Sequence, residues 1–269
     1  VIDASRLRVV ATDLDRTLLR SDGSLSPASV ATLRAAAAAG LDIVYVTARH
    51  LSALRRVSDE VGLVSAGICC GGAITYALPS NEISGQQVLE VETIHTIADR
   101  ITAAAPRTRF GWVTAEAAEV EHDYPDRLGT VRVRRADEGR VAGPVFKLFA
   151  RNPWMDPARF DAAVTASVAG LAEVSHRFDG FADIVAPGVD KTSALRRWCA
   201  ARGVHAGQVV AFGDSAADLG MLRWAGVGVA VRNADEDVLR AADVITGACD
   251  ADGVAAWLAG NLLPYRGTE

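Results

Sequence analysis

Short, uninterrupted apolar runs alternate with longer segments of helical periodicity at the beginning and again at the end of the chain. Val9, Val10 and Ala11 form the first run, and residues 41–46 and 209–212 repeat it. Runs that are apolar on both faces belong to strands of a parallel sheet covered on both sides. Ser26-Pro27 opens a helix, with Ser26 as N-cap and Pro27 at the first helical position. Leu33 and the alanines around it continue that helix, and Gly40 ends it. Leu51, Leu54 and Val57 mark a second helix over about 51–60, and residues 63–75 read as a strand and turn. In that turn, Gly71-Gly72 lets the chain bend or approach something closely. Strand, helix, strand, helix, strand is the alternation of an open α/β sheet.

From about residue 83 the rhythm changes. Residues 88–91 read as strand or linker, 94–105 as a helix closed by Pro106, and 157–169 as another helix. Residues 110–114, 131–134, 145–150 and 172–177 read as short strands with charges interleaved. Arg132, Arg134, Arg135 and Arg140 are then the wet face of a strand pair. After Pro187 the first rhythm resumes, with helices over 191–202, 216–225, near 236–242 and over 253–258, and strands at 209–212, 227–231 and 244–245. The expectation is a discontinuous α/β core, residues 1–82 and 185–269, with an α+β domain inserted over 83–184.

Composition narrows the partners. Half of the residues are hydrophobic and both signs of charge are plentiful, as in a soluble globular protein. A formal net charge of −5 gives no reason to expect nucleic acid or an anionic membrane, while leaving room for a phosphorylated small molecule at a local cation site. Cys69, Cys70, Cys199 and Cys249 show neither CxxC spacing nor a secreted disulfide framework, so reduced thiols in the cytoplasm are expected. The N-terminus runs directly into the first strand without a signal-type apolar segment, and no apolar stretch is long enough to span a bilayer.

Candidate chemistry gathers where strands end. Asp13 and Asp15 follow the first strand, Thr47 the second, and Asp214 with Asp218 the strand at 209–212. Ligand sites of open α/β sheets lie beyond the carboxyl ends of strands. Carboxylates meeting there repel unless a cation joins them, and hard oxygen donors suit Mg²⁺; the alternative is that these acids merely cap separate helices. Lys191 begins a helix, where the helix dipole disfavours a cation. Pointed inward it would screen the carboxylates and grip a phosphoryl oxygen; pointed outward it is a surface lysine. Arg49, just past Thr47, stands where it would meet an anionic substrate or the insert.

Taken together, these segments resemble the haloacid dehalogenase superfamily, in its Cof-like, IIB group of phosphatases with a large C2-type α/β cap. DLDRTLL at 13–19, VTAR with Thr47, APGVDKTSAL with Lys191 and GDSAADLGML at 213–222 resemble the four motifs in order, across nearly the whole chain. The resemblance implies a Rossmannoid core with a mostly parallel sheet and an inserted cap. It also implies Mg²⁺-dependent hydrolysis of a small phosphorylated metabolite, such as a sugar phosphate, through an aspartyl-phosphate. Asp13 would be the nucleophile and Asp15 the general acid and base. Asp13, the Asp15 carbonyl, Asp214 and Asp218 would hold the metal, and Thr47 and Lys191 the phosphoryl oxygens. Arg16, Arg49 and Gly72 would meet the substrate, and the cap would exclude water and choose the leaving group. A monomer or weak homodimer is expected.

Three positions depart from the pattern. Arg16 stands where the motif has glycine, Ala217 where it has asparagine, and Gly71 replaces an asparagine in the Cys70–Ala73 turn. These leave two other readings open, a weakened descendant that binds a phosphorylated ligand or partner, and a phosphomutase. In the insert, His122, Asp123 and Tyr124 read as ordinary surface or packing, with the cleft as the alternative, and the segment 178–181 is a candidate border of the active-site mouth. Trp112 and Trp154 read as insert core, and His176 as a structural histidine.

Overall fold

The computed structural model describes residues 6–62, 64–125, 133–135, 141 and 143–262, the side chains of 133–135 and 175–178 excepted. Arg132 and Arg140 lie outside the described residues, as do the side chains of Arg134, Arg135, His176 and Phe178. The chain forms two compact units, one from residues 6–49, 54–84 and 191–262, the other from 50–53 and 85–190.

The first unit is an α/β sheet. Its strands are β1 (Val9–Thr12), β2 (Asp42–Val46), β3 (Ala66–Cys69), β4 (Ile74–Ala77) and β5 (Glu82–Gln86), and after the insertion β12 (Val209–Gly213), β13 (Val227–Ala230) and β14 (Val244–Ile245). They lie in the order β14-β13-β12-β1-β2-β3-β4-β5, parallel from β14 through β3, with β4 turning back antiparallel. The helices are α1 (Pro27–Ala38), α2 (Leu51–Val61), α5 (Lys191–Ala200), α6 (Leu219–Trp224), α7 (Glu236–Ala241) and α8 (Gly253–Asn261). Ser26 caps α1 as expected, its Oγ accepting from Ser29 N at 2.9 Å.

The continuous apolar strands follow from burial on both faces. Val9, Ala11, Val44, Val46, Val209 and Ala211 meet Ala194, Leu195 and Trp198 of α5 and Met221 and Leu222 of α6 in one cluster. Phe212 instead meets Trp257 of α8 edge-on, ring centroids 5.4 Å apart. Each fully buried Leu, Val or Phe side chain contributes roughly 1.5–3 kcal/mol.

The second unit is built on a different plan. Its strands β6 (Arg109–Val113), β7 (Ala118–Val120), β8 (Val133–Arg135), β9 (Lys147–Arg151), β10 (Glu173–Phe178) and β11 (Phe181–Val185) lie in the order β10-β11-β9-β6-β7-β8. All neighbours are antiparallel except β7 and β8. Helices α3 (Val91–Ala104) and α4 (Pro157–Val168) pack on one another. Residues 88–91 form neither a strand nor a plain linker: Leu89 makes one isolated bridge to Val145, and Val91 already begins α3. Trp112 is insert core, its Nε1 donating to Glu119 Oε2 at 3.1 Å. Trp154 is not: 51% of it is exposed, and the Arg107 guanidinium lies 4.4 Å from its ring centroid. A cation over the ring makes an exposed indole tolerable. The chain is thus an α/β core with a mostly parallel sheet and an inserted, β-rich unit. No helix among the described residues is long and apolar enough to cross a membrane.

Among the described residues, the Tyr45 hydroxyl of the core is left without a partner. Tyr45 Oη of β2 is fully buried with no hydrogen bond, and burial holds its pKa well above the ordinary value. A buried unpaired hydroxyl costs about 1–3 kcal/mol. Tyr45→Phe is therefore expected to leave stability unchanged or raise it by about 1 kcal/mol in urea unfolding; a drop of that size would mean the hydroxyl is satisfied.

Candidate active site

Three neighbouring parallel strands, β2, β1 and β12, end side by side. Their register pairs Thr12 with both Tyr45 and Phe212, which sets Thr47, Asp13 and Asp214 along one sheet edge. Asp13 N–H still donates to Phe212 O at 3.0 Å, so its backbone is held by the sheet as its side chain leaves it.

Lys191 answers the question its position raised. It is buried at the start of α5, and its Nζ donates to Asp13 Oδ1 and to Asp218 Oδ1, each at 2.8 Å. Asp218 Oδ2 accepts from Asp214 N at 3.2 Å, and from Ser215 N and Ser215 Oγ at 3.0 Å each. The Ser215-x-x-Asp218 spacing is a capping box that closes on itself and leaves Asp218 fully buried. A Cβ at Gly213 would lie 2.4 Å from Asp218 Cβ, so only glycine lets that side chain pass. Oxygens of Asp13, Asp214 and Asp218 all lie within 4.8 Å of one another. A buried all-carboxylate donor set of this size fits a hard divalent cation. Asp214 Oδ1 also accepts from Thr17 Oγ1 at 3.2 Å.

The electrostatics follow from burial. Burial pushes the Asp13 carboxyl up to about 7, Lys191 opposing and Asp218 adding to the shift. Burial, with Asp218, pushes Asp214 up to about 6. For Lys191, burial works against the charge, but the facing Asp13 and Asp218 carboxylates outweigh it and raise its pKa.

The remaining expected residues divide. The Asp15 side chain stands outside the carboxylate cluster, 54% exposed, and takes a two-pronged bond from Arg49, Nε to Oδ2 at 2.8 Å and NH2 to Oδ1 at 2.6 Å. That fork raises the Arg49 pKa. Thr47 is buried, its Oγ1 accepting from Arg49 N at 3.1 Å. Gly72 sits in the turn Cys70–Gly72 at φ +110, a region glycine enters freely. Hydrogen bonds Gly71 N to Thr47 O (3.1 Å) and Cys70 N to Arg49 O (2.9 Å) stitch that turn to the β2 loop. Arg16 adopts φ +55, which explains the usual glycine and costs a side-chain-bearing residue about 1–2 kcal/mol. Ala217 is exposed and brings no polar group, so Lys191 relies on carboxylates. In the insert, Asp123 pairs with Arg109 at 2.9 Å and Tyr124 is buried edge-on against Phe149, so both are accounted for by local contacts.

Ser215, Thr17 and Asn233 were not singled out from the sequence. Ser215 was legible as the S-x-x-D capping pattern, and Thr17 lay within a quoted motif. Asn233 Nδ2 donates to Arg16 O and its Oδ1 accepts from Cys249 N, each at 2.8 Å.

The sequence matches the haloacid dehalogenase-like hydrolase family over residues 10–258. It is similar to the pyridoxal phosphate phosphatase YbhA of Escherichia coli strain K12, 28% identical over 270 residues covering 95% of this chain and 99% of that protein. Among solved structures the fold is similar to a haloacid dehalogenase-like hydrolase from Bacteroides thetaiotaomicron, with TM-score 0.83 and 22% identity over 94% of this chain and 99% of the other. It is also similar to a sugar phosphatase of subclass IIB of the same superfamily, with TM-score 0.78 and 22% identity over 94% and 98%.

The two raised carboxyls set a pH dependence. A folded pKa above the unfolded value means the folded state binds more protons between about pH 4 and 7, so stability falls as pH rises through that window. In the presence of chelator, urea midpoints are expected to be higher at pH 5 than at pH 7.5, a flat or opposite trend in Asp13→Asn/Asp214→Asn marking these carboxyls as the source.

Proposed function

This chain belongs to the haloacid dehalogenase-like hydrolase family, and on that premise we propose that it is a Mg²⁺-dependent phosphatase acting on a small phosphorylated metabolite. The observation that carries this reading is the Lys191 ammonium bonded to both Asp13 and Asp218, with Asp214 in the same cluster. Asp13 attacks phosphorus through its carboxylate and becomes an aspartyl-phosphate as the alcohol leaves. Lys191 holds Asp13 in place and offsets charge on the transferring group. Asp13, Asp214 and the Asp15 carbonyl would hold Mg²⁺, which would keep the raised carboxyls ionised and neutralise phosphoryl charge. Asp218, with every oxygen bonded to protein donors, serves by aiming Lys191 and the 214–215 backbone.

Asp15 protonates the departing oxygen, then takes a proton from the water that hydrolyses the intermediate. The Arg49 fork occupies both Asp15 carboxylate oxygens, so the first step requires that pairing to loosen. Phosphoryl oxygens entering beside Thr47 supply the competing anion for Arg49. Thr47 and Gly72 shape this side of the phosphoryl site. The presence of both motif aspartates, the lysine and the second acidic pair favours turnover over a binding-only role. Sugar phosphates and pyridoxal phosphate head the substrate panel, since similar proteins carry those names.

Phosphate release from such a panel is expected to need Mg²⁺ and to stop on chelation. Asp13→Asn should lower kcat by at least about a thousandfold, on the scale of losing a catalytic nucleophile, while retaining the fold by circular dichroism; unchanged turnover would remove Asp13 from the chemistry.

A further inference from the structure

Arg16 is 60% exposed, yet its guanidinium is engaged. Nε lies 3.8 Å from Asp214 Oδ2, and NH2 donates to Asn233 O at 3.2 Å. Asn233 Nδ2 returns a bond to Arg16 O at 2.8 Å, which fixes the loop that aims the side chain. Asp214 thus has a neutral hydroxyl, Thr17, on one oxygen and a cation near the other. The pair is long and its cation lies open to solvent, so it holds loosely and a stronger cation can take its place.

We propose that Arg16 is a displaceable counter-cation of Asp214, and that, once a divalent ion takes Asp214, the released guanidinium binds an oxygen of the anionic substrate. Metal and anion binding are then coupled through one side chain. The inference rests on the reading of Asp13, Asp214 and the Asp15 carbonyl as the metal site. A guanidinium and a divalent ion repel when both address one carboxylate. Across a few ångströms of water-like medium at ordinary salt, that repulsion corresponds to about three- to tenfold in affinity. By linkage, whatever draws Arg16 away from Asp214 favours the ion, and the ion favours whatever Arg16 then binds. A guanidinium also suits phosphate oxygens geometrically, which an ammonium at the same place matches only as a point charge.

The test is calorimetry on the full chain. Mg²⁺ is titrated into wild type, Arg16→Gly, Arg16→Lys and Asp214→Asn, and inorganic phosphate into the Mg²⁺-saturated proteins. Glycine suits the φ +55 backbone, so Arg16→Gly keeps the loop. Arg16→Gly is expected to bind Mg²⁺ about three- to tenfold tighter and phosphate about three- to tenfold more weakly, both differences shrinking in high salt. Arg16→Lys is expected to stay near wild type for Mg²⁺ and to bind phosphate more weakly than wild type. Unchanged or weaker Mg²⁺ binding in Arg16→Gly, or unchanged phosphate binding, overturns the proposal. If Asp214→Asn binds Mg²⁺ like wild type, the metal-site reading itself fails; if it loses the ion while Arg16→Gly changes nothing, only the Arg16 inference does.

Discussion

A single ammonium group holds together carboxylates that would otherwise drive this sheet edge apart. Lys191 sits between Asp13 and Asp218 at 2.8 Å from each, in a place almost closed to water. Removing one member of a buried charge cluster leaves the others unpaired, at a cost of roughly 3–5 kcal/mol. The same burial that makes the cluster fragile raises the Asp13 and Asp214 carboxyls, and the carboxylates gathered there are capable of holding a divalent ion. Stability and the proposed chemistry therefore draw on one arrangement.

That arrangement exists because of strand order. Asp13 is separated from Lys191 and Asp218 by most of the chain, and the placement of β1 beside β12 brings their loops to one edge. The insertion intervenes between β5 and α5 without altering this, since parallel pairing of β1 with β12 fixes where residues 214–218 emerge. The lysine at the start of α5 defies the helix dipole. Two anions at hydrogen-bonding distance repay that local penalty many times over.

Legibility in the sequence followed the same physics. Strands buried on both faces, β1, β2 and β12, were readable because their apolar runs are unbroken, and Ser26-Pro27 marked the start of α1 to the residue. The insert was harder. Strands β5, β7 and β11 went unread because they are short, charged at alternate positions, or follow a tight turn such as Asp179-Gly180. Trp154 reads as core because a large aromatic usually is; nothing local announces that Arg107, far along the chain, will cover its ring. At the site, residue types at strand ends were visible, whereas the pairing of Asp15 with Arg49 and the Asn233 bonds depend on loops meeting in space.

The capping box at Ser215 and Asp218 has a consequence for timing. With one carboxylate oxygen taken by Lys191 and the other by three donors, Asp218 has no rotamer left to search. Its dipolar surroundings are already oriented when the chain finishes folding. In the proposed reaction, charge moving at Asp13 would meet a fixed environment on that flank, and solvent there would have little reorganisation left to contribute to the barrier.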